Sequence, residues 1–190
     1  MPRELKFDQQ KVLKSAMELF WLKGYNATSM QDLVDATGLN RSSLYNTFGD
    51  KMQLYAAALQ HYMKQTAVQF EEVLKNKVSA YETIENIFKS FLPEIARDSR
   101  GCMSMNCKAE MNADSAIKKW LETKQEQSLA MFQQLIEQGQ QDGSINTNKS
   151  SRTYAWHVFN AFQGYRMTGI LEKDPHTLKG IINTSLEILR

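Results

Sequence analysis

An all-α fold follows from three features of this 190-residue chain. Good helix formers (Gln, Lys, Glu, Leu, Met and Ala) are plentiful. Helix breakers are sparse, with 3 prolines and 9 glycines. Apolar residues recur at spacings of three and four, and strand-like alternation is rare. The spacing predicts about nine helices, in an N-terminal three-helix helix-turn-helix domain over 1–52 and a larger helical domain over 53–190.

The first helix is expected over 8–22, where Val12, Leu13, Ala16, Met17 and Phe20 form one apolar stripe. Gly24 ends it, because glycine accepts the left-handed backbone of a helix C-terminus. Thr28, with Gln31 three residues later, is read as the capping box of a short helix over 29–36. That helix offers Met30, Leu33 and Val34 to the core. Gly38 makes a turn, and Asn40 caps a third helix over 41–46 that packs through Leu44, Tyr45 and Phe48. Gly49 breaks it, and Asp50 with Gln53 caps a fourth helix running from 51 into the mid-70s. Five more are expected over 79–96, 101–112, 114–140, 150–171 and 175–189. Pro93 should kink or shorten the first of these, and Asp174–Pro175 should start the last.

Composition removes several functional classes. The formal charge is +2, from 23 basic and 21 acidic residues. Residues 1–52 carry seven basic groups against six acidic ones. A nucleic-acid partner would therefore have to be met by local placement of charge rather than by a global surplus. No N-terminal apolar run resembles a signal peptide, and no stretch nears the roughly 18 apolar residues of a membrane span. A cytoplasmic protein with no membrane partner is expected, with Cys102 and Cys107 as reduced thiols. His61, His157 and His176 are far apart, and no Cys/His metal spacing or glycine-rich phosphate loop occurs. The expectation is a protein that is not an enzyme and has no metal, catalytic residue or cofactor.

The informative segment runs from Thr28 to Phe48. Two short capped helices joined through Gly38, with the helix before them, are the minimum core of a helix-turn-helix. Away from its packing positions the second of the pair is polar: Asn40, Arg41, Ser42, Ser43, Asn46 and Thr47. Arg41 has a forked donor set suited to a guanine edge or a phosphate. Ser42, Ser43 and Thr47 can donate to phosphates or bases. Tyr45 either fills the core or extends its hydroxyl to the DNA backbone. Thr28 is either a cap alone or a cap whose helix N-terminus also faces a phosphate. Lys51 opens the fourth helix within reach of a neighbouring phosphate, and Arg3 and Lys6 form an arm that either contacts DNA or is merely solvated.

The ordered pattern Ala16-x-x-Leu19-Phe20-x-x-x-Gly24-Tyr25-x-x-Thr28-Ser29, then Met30, Leu33 and Ala36, then Gly38-Leu39-Asn40-Arg41-Ser42-Ser43-Leu44-Tyr45-x-x-Phe48-Gly49-Asp50-Lys51-x-x-Leu54 resembles the N-terminal domain of the TetR family of transcriptional regulators. The resemblance covers about the first 55 residues and is far more specific than any single motif. It implies a homodimer on palindromic operator double-stranded DNA, mostly a repressor, released by a small-molecule effector. By position it implies that Thr28, Arg41, Ser42, Ser43, Tyr45, Asn46 and Lys51 face DNA. The family often has histidine at one of the two positions before Phe48. Here they are Asn46 and Thr47, which leaves the preferred base sequence open.

The last two helices carry apolar stripes. Val158, Phe162 and Tyr165 on one, and Ile181, Leu186 and Leu189 on the other, either bury within the chain or form a dimer interface with a second copy. Phe88, Phe91, Met103, Cys107, Met111, Trp120, Phe132, Phe159 and Phe162 either line an effector pocket or form ordinary core. Cys102, near a helix start, is the candidate sensor thiol of an alternative redox- or electrophile-responsive regulator. A helical adaptor without DNA binding is the other alternative; it would tolerate changes at Arg41 and Tyr45.

Overall fold

A computed structural model describes residues 7–111 and 114–190, and every regular element among them is helical. The helices are α1 (Gln9–Lys23), α2 (Met30–Thr37), α3 (Arg41–Phe48), α4 (Lys51–Leu74), α5 (Ala80–Ser90), α6 (Leu92–Arg97), α7 (Met103–Met111), α8 (Ser115–Asp142), α9 (Ser151–Thr168) and α10 (Pro175–Leu186). A short 3-10 turn, Glu187–Leu189, follows α10. Arg3 and Lys6 lie outside the described residues.

Most boundaries fall where capping chemistry puts them. Asn40 accepts the Ser43 N–H at 2.8 Å to start α3. Asp50 and Gln53 cap α4 reciprocally, each side chain accepting the other's N–H. Asp174 caps α10, whose first residue is Pro175. Gly24, with φ of +79°, ends α1.

Three departures from expectation have an identifiable local cause. The cap of α2 is Ser29 rather than Thr28: Ser29 accepts the Asp32 N–H at 3.0 Å, and Asp32 accepts the Ser29 N–H at 2.8 Å. Gln31 instead donates to Asp35. The segment 79–96 is two helices, α5 and α6. Pro93 has no N–H to continue the ladder, and α5 closes at Phe91 through a tight bond to the Phe88 carbonyl. Finally, α7 begins at Met103 because Gly101 adopts φ of +72°.

The chain divides into two compact units. The first is the stretch up to Ala67 with Met103–Lys118; the second is Val68–Cys102 with Lys119–Arg190. The sequence places the division near residue 52. The long α4 continues past that point, and a distant segment carrying α7 joins the first unit. The first unit buries Val12, Ala16, Met17 and Phe20 from α1, Leu33 from α2, Leu44 from α3, and Leu54, Tyr55, Ala58 and Leu59 from α4. The Phe20 ring meets Tyr55 edge-on, with centroids 5.0 Å apart.

The second unit has a large aromatic core. Phe162 of α9 stands with ring centroids 5.2 Å from Phe88 and Phe91 and 5.7 Å from Phe70. Arg166 is only 3% exposed. Its guanidinium lies 4.2 Å over the Phe91 ring and donates to Glu94. Burial pushes the Glu94 carboxyl up from its ordinary range, despite the facing guanidinium. The Lys173 ammonium donates to the carbonyls of Ile95 (2.8 Å), Asp98 (3.0 Å) and Gly169. It thereby satisfies carbonyls at the C-terminal ends of both α6 and α9.

Candidate nucleic-acid interface

The candidate interface is the outer face of α3. Leu44, 1% exposed, anchors this eight-residue helix. One buried residue on so short a helix leaves most of its circumference to solvent. Asn40, Arg41, Ser42, Tyr45 and Asn46 are exposed, and Ser43 and Thr47 are half-buried. Tyr45 is 44% exposed, so its ring is not spent in the core. Arg41 forms no ion pair with any described residue, and all its donors are available to a ligand. Asn46 donates weakly back to Ser42 at 3.5 Å.

Lys51 stands at the start of α4, its ammonium 4.4 Å from the centre of the Tyr25 ring. That cation–π contact holds a long side chain that would otherwise sample many rotamers. Burial, then the charge of Asp50, raises the Tyr25 hydroxyl above its ordinary value, so Tyr25 is neutral.

Thr28 does not face outward. It is 1% exposed, and its hydroxyl donates to the Gly24 carbonyl at 2.6 Å. The free N–H groups at the start of α2 belong to the turn begun by Ser29. Asp32 also receives the Lys23 ammonium at 2.8 Å. That bond and the bonds from Ser29 hold its carboxyl well below the usual carboxylate range. The signal for Ser29 was present in the sequence: Ser29-x-x-Asp32 is itself a capping-box pattern.

Glu110 is the residue that sequence reasoning left without a role. Its Oε2 accepts the Tyr25 N–H at 2.8 Å and its Oε1 accepts the Asn26 N–H at 2.7 Å. A Cβ at Gly24 would stand 2.9 Å from Oε2, so a side chain there would push the carboxylate off its two bonds, on top of the strain of a positive φ. No local pattern reveals a contact spanning 85 positions.

The other predicted residues divide by unit. Met103, Cys107 and Met111 are buried in the first. Phe88, Phe91, Phe159 and Phe162 are buried in the second, where Trp120 is half-buried. Phe88, Phe91 and Phe162 make mutual ring contacts, as core does. A separate cleft of about 340 Å³ in the second unit is lined by Leu74, Val78, Thr83, Met131, Gln134 and Gln138 among others, and by none of the predicted pocket residues.

Of the predicted interface residues, Val158, Phe162, Tyr165, Leu186 and Leu189 are turned into the core of their own chain, and Ile181 is half-buried. The reason is that a helix lying on a core spends its largest apolar stripe there. The outward face of α9 carries Thr153, Trp156, Asn160, Gly164 and Met167 instead. Cys102 is buried immediately before α7. Cys107 touches the Tyr55 hydroxyl, and burial pushes its thiol up, which disfavours the thiolate.

Among the described residues no His, Cys, Asp and Glu side chains cluster as a metal site, and no helix is long and apolar enough to cross a membrane.

The chain matches a family profile, two proteins of known sequence and a solved structure. The profile described as "Bacterial regulatory proteins, tetR family" matches residues 12–58. The chain is similar to the HTH-type transcriptional repressor ComR of Escherichia coli K12, at 32% identity over 73% of this chain and 68% of that one. It is also similar to the HTH-type transcriptional regulator YezE of Bacillus subtilis 168, at 30% identity over 77% of each. In fold it resembles a cysteine mutant of the TetR family regulator CifR, solved with 26-base-pair double-strand operator DNA. There the TM-score is 0.87 and the identity 24%, over 99% of this chain and all of that one.

Proposed function

The chain belongs to the TetR family of DNA-binding transcriptional regulators, and from that premise we propose that it is a homodimeric repressor that binds a palindromic operator through α3 and leaves it when a small molecule binds. The observation that carries the reading is the exposed polar face of α3 around the buried Leu44. Arg41, Ser42, Ser43, Tyr45, Asn46 and Thr47, with Asn40 at its cap and Lys51 alongside, form the reading surface. Arg41 reads a base edge or grips a phosphate, and Lys51 neutralises backbone charge. Thr28 supports the turn below this surface rather than contacting DNA, and the chain acts by binding rather than by catalysis.

A dimer is needed on energetic grounds. One eight-residue helix offers few base contacts, and two-fold pairing doubles them on a palindrome. We assign the pairing surface to the outward faces of α9 and α10. Gly164 and Gly180 lie on those faces, and beyond the local helix backbone a Cβ added at either meets no described atom within 4 Å. Mid-helix glycine costs about 1 kcal/mol relative to alanine. Close approach of a second copy accounts for glycines that the monomer does not need. The name of ComR and the operator complex of CifR support repression and operator binding. We favour a bound effector over thiol chemistry at Cys102, because both thiols are buried and Cys107 is held protonated.

The test is selection of bound sequences from a pool of random duplexes by the full-length protein. A two-fold symmetric site recovered from the pool, bound by a dimer and weakened by added salt, is the expected result. Recovery of no sequence would favour the adaptor reading and end this one.

A further inference from the structure

We propose that Glu110 is a positioning residue for DNA recognition: its carboxylate holds the turn between α1 and α2, and so sets where α3 stands. The proposal rests on the DNA-binding reading above. The turn has its own bonds, from the Thr28 hydroxyl to Gly24 and from the Thr28 N–H to the Tyr25 carbonyl. Those leave the N–H groups of Tyr25 and Asn26 without a partner from the turn itself. Both point at one carboxylate, each within 2.8 Å of a separate oxygen. A bidentate, charge-assisted pair of this kind fixes orientation as well as distance. Gly24 leaves room for the carboxylate, and the Tyr25 ring beside it carries Lys51 on its face. Lys51, one of the proposed DNA-facing groups, therefore leans on the same turn.

Glu110 does not belong to the helix-turn-helix segment. It lies on α7, whose stretch of chain leaves the second unit after Cys102 and returns to it after Lys118. The turn that orients the reading helix is thus gripped by a segment covalently tied at both ends to the other unit. A displacement of α7 by about 1 Å along these bonds, away from the turn, would lengthen both beyond hydrogen-bonding range.

The experiment uses full-length Glu110→Ala and Glu110→Gln, with wild type and Arg41→Ala as references. Each is titrated with the selected operator and with a random duplex of equal length, at one salt concentration and well below the melting transition. Amide hydrogen exchange at Tyr25 and Asn26 is followed in parallel. The expected result is a fall in the operator-to-random affinity ratio of about tenfold for alanine, the size of one charge-assisted bond, and less for glutamine, which keeps one acceptor oxygen. Exchange at the two amides should accelerate. A loss of folded protein lowers both affinities alike and leaves their ratio unchanged, so the ratio separates positioning from stability. If the alanine variant does not fold, the nearly isosteric glutamine variant decides. An unchanged ratio, or unchanged exchange at both amides in a folded variant, overturns the proposal. If Arg41→Ala weakens binding while Glu110→Ala does not, only this proposal fails. If wild type selects no duplex, the DNA reading fails and takes the proposal with it.

Discussion

Lys23 in the last turn of α1 donates to Asp32 in the first turn of α2 at 2.8 Å, tying the two helices across the turn that carries Gly24 and Thr28. The same carboxylate closes the Ser29 cap. The bond from Lys23, with those from Ser29, depresses the Asp32 carboxyl. A group depressed in the folded state contributes stability above its unfolded value, and that contribution disappears as pH falls through the folded value. Asp32→Asn should therefore lower the melting temperature at neutral pH. The gap to wild type should hold down to about pH 5 and shrink progressively below it, as the unfolded carboxyl protonates around its ordinary value of about 3.9. Melting curves across that range check it. A gap that widened on acidification would contradict the assignment. The pair is solvent-exposed, so the effect should be small and should diminish with salt.

Arg41→Ala should leave helicity, melting and dimerisation unchanged, since the side chain forms no ion pair among the described residues. Specific DNA affinity should drop by about tenfold to a hundredfold, as loss of about 1–3 kcal/mol from a base-reading arginine requires. Fluorescence anisotropy with the selected operator measures it. Equal binding by variant and wild type would remove Arg41 from the reading surface.

Leu44→Ala should behave oppositely. It removes the anchor of α3 and opens a cavity, at about 2–5 kcal/mol. Urea unfolding should show the first unit weakened, and DNA affinity should fall for both operator and random duplex as the folded fraction of that unit drops. Preserved stability would mean that α3 is supported by something other than Leu44.

Gly180→Arg and Gly164→Arg place a long cation on faces where, beyond the local helix backbone, no described atom lies within 4 Å of the new Cβ. Monomer stability should be kept or raised slightly, because glycine is the poorer helix former. Sedimentation should show monomers, and operator affinity should fall with the loss of two-half-site binding. Intact dimers from both variants would move the interface elsewhere.

Lys173→Met removes three charge-assisted bonds at once and leaves carbonyls of α6 and α9 without their donor. A loss of about 2 kcal/mol or more in urea unfolding is expected, discounted for the partial exposure of the ammonium. Unchanged unfolding would show that water replaces the ammonium without loss.

Local features carried most of the helix-turn-helix. Asn40, Asp50 with Gln53, Gly24 and Asp174–Pro175 act within a few residues of themselves, and each structural boundary falls where those side chains direct it. The exposed polar face of α3 was legible for the same reason, since period and polarity on a short helix fix what is left for solvent. The α2 cap lies one residue beyond the Thr28 that the pattern suggests. Thr28 and Ser29 offer the same hydroxyl chemistry, and the choice between them turns on Asp32 and on Thr28 being buried. The apolar stripes of α9 and α10 were recognised, but a stripe does not say whether it meets its own chain or another.

The amino-acid sequence by itself determined an all-helical chain, the positions of most helix starts to within a residue, and the outward polarity of α3, because these follow from hydrogen bonds and side-chain periods spanning one to four residues. Only the tertiary structure decided that α7 joins the first unit, that Glu110 closes the turn at Tyr25 and Asn26, that Lys173 caps two helices, and that Val158, Phe162 and Leu186 are spent inside. Those pairings join residues tens of positions apart, and no local pattern encodes which distant group a carboxylate, an ammonium or an apolar stripe will meet once the chain has collapsed.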